Sequence, residues 1–361
     1  DKLESFMRDV FVKVGVPPDD AAICAEVLIE SDKRGIDSHG VGRFKPIYID
    51  RINTGLQSPV TKIDVIKETK TTAVLDGNNG MGQVIAKKAM EIAIDKARQY
   101  GLGMSVVRNS THYGFAGYYA IMATEQDMIG ITGTNARPSI APTFGVENML
   151  GTNPLVFGMP SDEAFPFVID CATSITQRGK IEQYAREGKK IPAGWVIDRY
   201  GNTSTDPDTV LEGLNTGNCA LAPLGGIGEE MAGYKGYGYA TVVEILSSAL
   251  QGGLFLKDLA DVDSAGNKVK SRLGHFFMAI NIDNFIEPEA FKKTVGDILR
   301  SLRASKKAAG HDRIYTAGEK EYLAWLERKD KGVPLNDALQ RILVQVRDQY
   351  KLYNYRFIFE K

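Results

Sequence analysis

The 361-residue chain is poor in the features that settle a protein's class at a glance. It has three cysteines, Cys24, Cys171 and Cys219, far apart and odd in number. They make neither a disulfide framework nor a zinc knuckle, so a reducing, cytoplasmic setting is expected. It has almost no net charge: 44 basic residues face 45 acidic ones, leaving −1. That balance gives no footing to a nucleic-acid or membrane-surface role. No apolar run is long enough to span a bilayer, and the opening "DKLESFMRDV" has no signal-peptide core. No G-x-G-x-x-G follows a strand, and G-x-x-x-x-G-K-[ST] is absent, so neither a standard Rossmann site nor a P-loop is supported. No spacing of His, Cys and carboxylates suggests a metal.

What is present suits a soluble globular chain, with 43% hydrophobic and 25% charged residues and length enough for two intertwined domains. "PPDDAAICAEVLIESDKRG" reads as a helix, capped by Asp19 or Asp20 and ended by Gly35. "TAVLDGNNGMGQ" reads as a strand entering a glycine-rich turn. In "QVIAKKAMEIAIDKARQYG", Ile85, Ala89, Ala93 and Ala97 share one helical face. "MSVVRNS", "MIGITGTN", "FPFVIDCAT", "WVIDRYGNT" and "HFFMAINID" read as strands, and "GFAGYYAIMATEQD" and "YKGYGYATVVEILSSALQGG" as helices. The alternation implies a layered α/β domain. From Pro288 onward the pattern is helical, and these helices are expected to pack with the first one. The expected division is a helical domain from 1–70 and 285–350, an α/β domain over 71–284, and a tail, 351–361, with no assignable task.

The chain has only four histidines: His39, His112, His275 and His311. His39 lies in "GIDSHGVGRF", four positions before Arg43. Histidine moves protons near neutral pH, and the arginine fork matches a carboxylate. The pair suits a 2-hydroxy or 2-oxo acid, with Ser38 placed to orient the imidazole. A surface histidine at a helix end is the plain alternative. His112 lies in "RNSTHYGFAGYY", between a strand and a helix, where α/β proteins place ligand groups. Its plain alternative is a residue near a helix cap. Asp170, ending a strand, is suited to accept from a ribose or an amide, or equally to cap a helix. Lys235 falls at a helix start that favours anions, with a merely flexible glycine-rich loop as the plain alternative.

Taken in order, "DKRGIDSHGVGRFKPIYIDRINTG", "NSTHYGFAGYY", "LGTNPLVFGMP", "IDCATS", "IPAGWVIDRYGNTSTDP", "LAPLGG", "YKGYGYA" and "IYTAGEKE" resemble the malate/L-lactate dehydrogenase family that is separate from the Rossmann-type enzymes. The resemblance covers nearly the whole chain. It implies an α/β fold with an unusual non-Rossmann mixed-sheet nucleotide-binding domain, plus a helical domain built from both chain termini. It also implies an NAD- or NADP-dependent oxidoreductase working as a homodimer on a small acid. Malate/oxaloacetate is the first expectation and L-lactate/pyruvate the second. A reductase of cyclic imino acids, or of another 2-oxo acid, is the alternative on the same fold.

By the same resemblance His39 is the proton donor or acceptor, with Ser38 in its relay, and His112 is a rival for that task. Arg43 and Tyr48 are substrate-side, although Tyr48 stands one residue further from the histidine than is usual. His112, Asn135, Asp170, Cys171, Ala172, Lys235, Ala317, Gly318 and Glu319 are cofactor-side, and no metal is implied. A hydrolase built on Ser38 and His39 is disfavoured, because adjacent side chains point apart on most backbones and no G-x-S-x-G elbow exists. A catalytically silent binding protein would not need Ser38, His39, Arg43, His112 and Lys235 together.

Overall fold

The computed structural model describes residues 2–263 and 265–360. Its centre is a seven-stranded sheet in the order β1-β2-β3-β9-β4-β5-β6. The strands are β1 (Asp64–Glu68), β2 (Thr72–Asp76), β3 (Leu102–Ser110), β4 (Met128–Thr134), β5 (Leu155–Met159), β6 (Phe167–Cys171) and β9 (Leu273–Asn281). Only β2 and β3 run parallel; every other pairing is antiparallel. The mixed, non-Rossmann sheet implied by the resemblance is therefore present. A small ribbon, β7 (Val196–Asp198) with β8 (Cys219–Leu221), lies apart from it.

The helices are α1 (Lys2–Lys13), α2 (Pro18–Lys33), α3 (Gly82–Tyr100), α4 (Gly117–Thr124), α5 (Arg178–Arg186), α6 (Pro207–Thr216), α7 (Gly233–Leu246), α8 (Pro288–Ala304), α9 (Glu319–Lys331) and α10 (Asp337–Gln349). Helix α3 covers the sheet with the expected face, and Ile85, Ala89, Ala93 and Ala97 are fully buried. Small side chains let it come close: a Cβ on Gly103 would lie 1.9 Å from the Ala93 carbonyl oxygen. Helix α2 corrects one expectation. Its N-cap position is Pro17, no side chain caps it, and Asp19 and Asp20 lie inside its first turn. There they face the positive end of the helix without bonding it.

A second core joins the two ends of the chain. Phe6 and Phe11 of α1 pack with Phe44, Tyr48, Leu343 and Val346. The segment after α10 enters the same core through Leu352, Tyr355 and Phe357. Phe357 meets Phe6 edge-on at 5.1 Å. Helix α8 is tied elsewhere, with Arg300 paired to Asp162 at 2.9 Å and Lys292 to Asp127 at 3.1 Å. The register makes β3, β4 and β6 end on the same side of the sheet. The loops leaving those ends form the site.

Candidate active site

Beyond the carboxyl ends of β3, β4 and β6 lies a cleft of about 670 Å³. Its walls include His39 and Arg43 from the loop after α2, His112 from the loop after β3, Asn135 after β4, and Asp170 of β6. Residues 73 positions apart in sequence thus face one space. The His39 and His112 rings stack at 5.7 Å with 16° between their planes. Helix α2 delivers the first of them. Gly35 turns the chain at a φ of +77°, where a side chain would be strained, and the His39 amide closes the turn on the Ile36 carbonyl at 3.0 Å.

Ser38 Oγ lies 2.8 Å from His39 Nδ1. Adjacent serine and histidine do meet here, contrary to the expectation that such neighbours point apart, because the tight turn folds one side chain back on the other. Arg43 donates from Nε to the Ser38 carbonyl at 2.6 Å. Its two terminal nitrogens have no acceptor among the described residues, and the side chain is exposed to the cleft. Tyr48 does not line the cleft. It is fully buried, and its hydroxyl lies 2.6 Å from His112 Nδ1. The reason is local: Phe44–Ile49 is wound as a π-helix, which turns Tyr48 inward beneath the histidine. Gly114 N–H also reaches His112 Nδ1, at 3.3 Å.

Both imidazoles are held neutral. Burial, then the Arg43 guanidinium, pushes His39 down to about 4. Burial, then His39 and Arg43, holds His112 well below the usual histidine range. In both rings Nδ1 is engaged and Nε2 has no protein partner among the described residues. His275 lies beneath them, fully buried on β9, with Nδ1 2.7 Å from Thr134 Oγ1 and its ring stacked 4.5 Å from Tyr113. His311 is exposed and outside the cleft.

The opposite wall follows strand periodicity. Val168, Asp170 and Ala172 line the cleft, and Cys171, between them, does not. Asp170 accepts from Gly117 N–H at 2.7 Å, so it does hold the start of α4, while remaining open to the cleft. Surrounding protein pushes its carboxyl up to about 6, against the pull of that bond. Asn135 is committed at both ends, accepting from Gly274 N–H at 2.8 Å and donating to Leu254 O at 3.2 Å. Gly318 lines the cleft; Ala317 and Glu319 do not. Glu319 is buried and accepts from Thr316 N–H at 3.0 Å and from Arg313. Lys235 stands on the exposed side of α7, away from the cleft.

A second cavity, about 820 Å³, opens from the first past Arg43 and His112. It adds Arg51, Arg137 and Lys257, and Arg178 borders both spaces. Sequence reasoning missed these cations, because nothing in "NARPS" or "TQRGK" separates them from ordinary surface charge.

A mixed sheet with two neutral imidazoles and an open guanidinium at its strand ends is suited to proton exchange with a small acid. The chain belongs to the malate/L-lactate dehydrogenase family, whose model matches residues 1–343. It is 44% identical over 353 residues to a malate dehydrogenase of Pyrococcus horikoshii, covering 96% of this chain and 95% of that one. It is 41% identical to an L-sulfolactate dehydrogenase of Methanocaldococcus jannaschii, covering 95% and 94%. The crystal structure of malate dehydrogenase from Entamoeba histolytica superposes with a TM-score of 0.94 at 46% identity, covering 99% and 98%.

Proposed function

We propose that this protein is an NAD- or NADP-dependent oxidoreductase of 2-hydroxy and 2-oxo acids, with malate and oxaloacetate as its pair. The observation that carries the reading is the stack of two neutral imidazoles beside the unengaged fork of Arg43. The relatives named malate and sulfolactate dehydrogenase support it. Arg137 in the adjoining cavity favours an acid with a second anionic group over lactate, while Arg178 beside it is already paired with Glu182 at 3.0 Å.

The cleft suits a nicotinamide cofactor in its volume, which falls in the range of ligand pockets. Its wall is also bare: Gly117, Ala172 and Gly318 leave room, and a Cβ on Gly318 would come within 2.7 Å of the Pro166 carbonyl oxygen. Asp170 keeps one oxygen available for a ribose hydroxyl or a carboxamide, and Ala172 and Gly318 would offer backbone contact. A bound nicotinamide supplies or takes the hydride.

The chain's own residues do the rest. The Arg43 terminal nitrogens grip the substrate carboxylate, with the Ser38 carbonyl fixing the guanidinium plane. His112 receives hydrogen bonds at Nδ1 from Tyr48 and Gly114, which leaves its proton on Nε2, where it hydrogen-bonds the substrate oxygen without leaving the ring. His39, with Ser38 Oγ beside its Nδ1 to fix the ring, accepts the hydroxyl proton at Nε2 during oxidation and returns it during reduction.

The same reading includes a homodimer. Helix α7 exposes Tyr234, Tyr239, Val242 and Ile245, each more than 40% accessible, around Lys235. Such an apolar face suits a second copy. A panel of malate, L-lactate, sulfolactate and a cyclic imino acid, each offered with both cofactors, tests the substrate. Fastest turnover on malate is expected. Turnover confined to the imine would overturn the reading.

A further inference from the structure

The loop carrying Ser38, His39 and Arg43 is held from below by three groups outside it. The buried carboxylate of Asp32 accepts from Val41 N–H at 2.7 Å. Ser31 Oγ donates to the Ile36 carbonyl at 2.7 Å. The third is Arg328, 296 positions away from Asp32 and in the last turns of α9. Its Nη1 donates to the Asp32 carbonyl at 2.5 Å and to Asp37 Oδ1, and its Nη2 to Asp37 Oδ2 at 3.3 Å. One planar fork thus clamps both the end of α2 and the residue before Ser38. The Arg328 side chain is 20% exposed, so the clamp is partly shielded from solvent.

Helix α9 also reaches the other side of the cleft. It begins after Gly318, whose turn is hydrogen-bonded to β6 through Val168 N–H and the Ala317 carbonyl at 3.4 Å. Tyr322 stacks on Phe165 at 5.4 Å, and Glu321 lines the cleft. Near its middle, Ala324 packs beneath Gly35, where an added Cβ would sit 3.2 Å from Ala324 Cβ. A helix of this length, about 20 Å at 1.5 Å per residue, spans from the β6 wall to the histidine loop as one rigid piece.

We infer that Arg328 is a positioning residue: its clamp on Asp37 and the Asp32 carbonyl sets the loop that aims His39 and Arg43 into the cleft. The inference rests on the proposed acid oxidoreductase reading for its kinetic consequence, but not for its structural one. Arg328 touches neither cavity. Its effect passes through Asp37, the neighbour of Ser38, and through the turn that Gly35 opens. Releasing the clamp lets the loop loosen and water reach His39, whose depressed basicity depends on burial first and on Arg43 second. His112 stacks on that ring, and Arg34, Asp37, Asp170, Arg178 and Glu321 are the other charged side chains lining the same cleft.

The test compares Arg328→Ala, Arg328→Lys and Asp37→Asn in the full chain. Arg328→Ala should lose tenfold or more in kcat/KM for the acid, while cofactor affinity stays within twofold. The acid limb of the rate profile should move up toward the ordinary histidine value. Arg328→Lys, which keeps charge but not the fork, should recover part of the loss. Asp37→Asn should reproduce it, and the double variant should be little worse than either single one. Histidine titration followed by nuclear magnetic resonance gives the same answer without turnover: the His39 signal, assigned by its absence in His39→Gln, should titrate higher in Arg328→Ala. If no acid is turned over by the unaltered protein but the His39 titration moves, the function is wrong and the positioning role stands. If Arg328→Ala does not fold, Arg328→Lys and Asp37→Asn carry the comparison. Unchanged kcat/KM and an unchanged His39 titration in the folded variants would overturn the inference.

Discussion

At the scale of single residues, the site was legible where one short segment holds several chemically apt side chains. Ser38, His39 and Arg43 announce themselves within six positions, and the structure turns all three to one loop. Asp32 and Arg328 were silent, because a clamp between residues 296 apart leaves no local pattern. Cys171 and Ala172 show a finer limit. The motif marks the segment, but only the pleat decides that Ala172 faces the cleft and Cys171 does not.

Two predictions belong to this scale. Arg43→Lys keeps the charge and loses the fork, and a charge-assisted bond contributes roughly 1.5–3 kcal/mol, so kcat/KM for the acid should fall about tenfold or more. An unchanged KM for the acid would remove Arg43 from the clamp. For the histidines the sign follows from the neutral ring. His39 must be unprotonated to accept a proton, and its value of about 4 keeps it so at neutral pH. Oxidation should therefore hold steady from neutral pH downward and fade only as pH approaches that value; reduction, which needs the protonated ring, should gain as pH drops. His39→Ala should cost about 10²–10⁴-fold in oxidation. A variant with near-normal oxidation, beside an inactive His112→Ala, would give the proton to His112.

At the scale of elements, periodicity succeeded where one face is buried and failed where the winding is irregular. The Ile85, Ala89, Ala93 and Ala97 stripe was readable because α3 lies flat on the sheet. The π-turn at Phe44–Ile49 was not, since nothing in "FKPIYI" distinguishes five-residue from four-residue winding. Its consequence is chemical, as Tyr48 is turned inward to bond His112 and does not line the cleft. The tail was equally opaque, because "YNYRFIFEK" is too short for a period and its partners lie at the chain's other end. Phe357 is 6% exposed and meets Phe6 edge-on. Phe357→Ala should lower unfolding stability by about 3 kcal/mol or more. A denaturant midpoint unchanged from the parent would show that the tail is not part of that core.

At the scale of the whole molecule, the alternation of strands and helices gave the α/β class, while strand order lay beyond it. A central β9, paired to β3 and β4 from late in the chain, is a long-range choice that local pattern does not encode. The apolar face of α7 belongs to this scale too. Val242→Glu should convert the proposed dimer to monomer in analytical ultracentrifugation; an unaltered chain that sediments as a monomer would contradict the dimer directly. The proposed function is exchange of a hydride and a proton with a small dicarboxylate in this cleft, without a metal. The direct test is the absorbance of reduced nicotinamide when purified protein, a chelator, malate and NAD or NADP are mixed. The account predicts malate-dependent growth of that absorbance and its loss in His39→Ala and Arg43→Lys. No growth with either cofactor, or activity abolished by the chelator and restored by zinc, would contradict it.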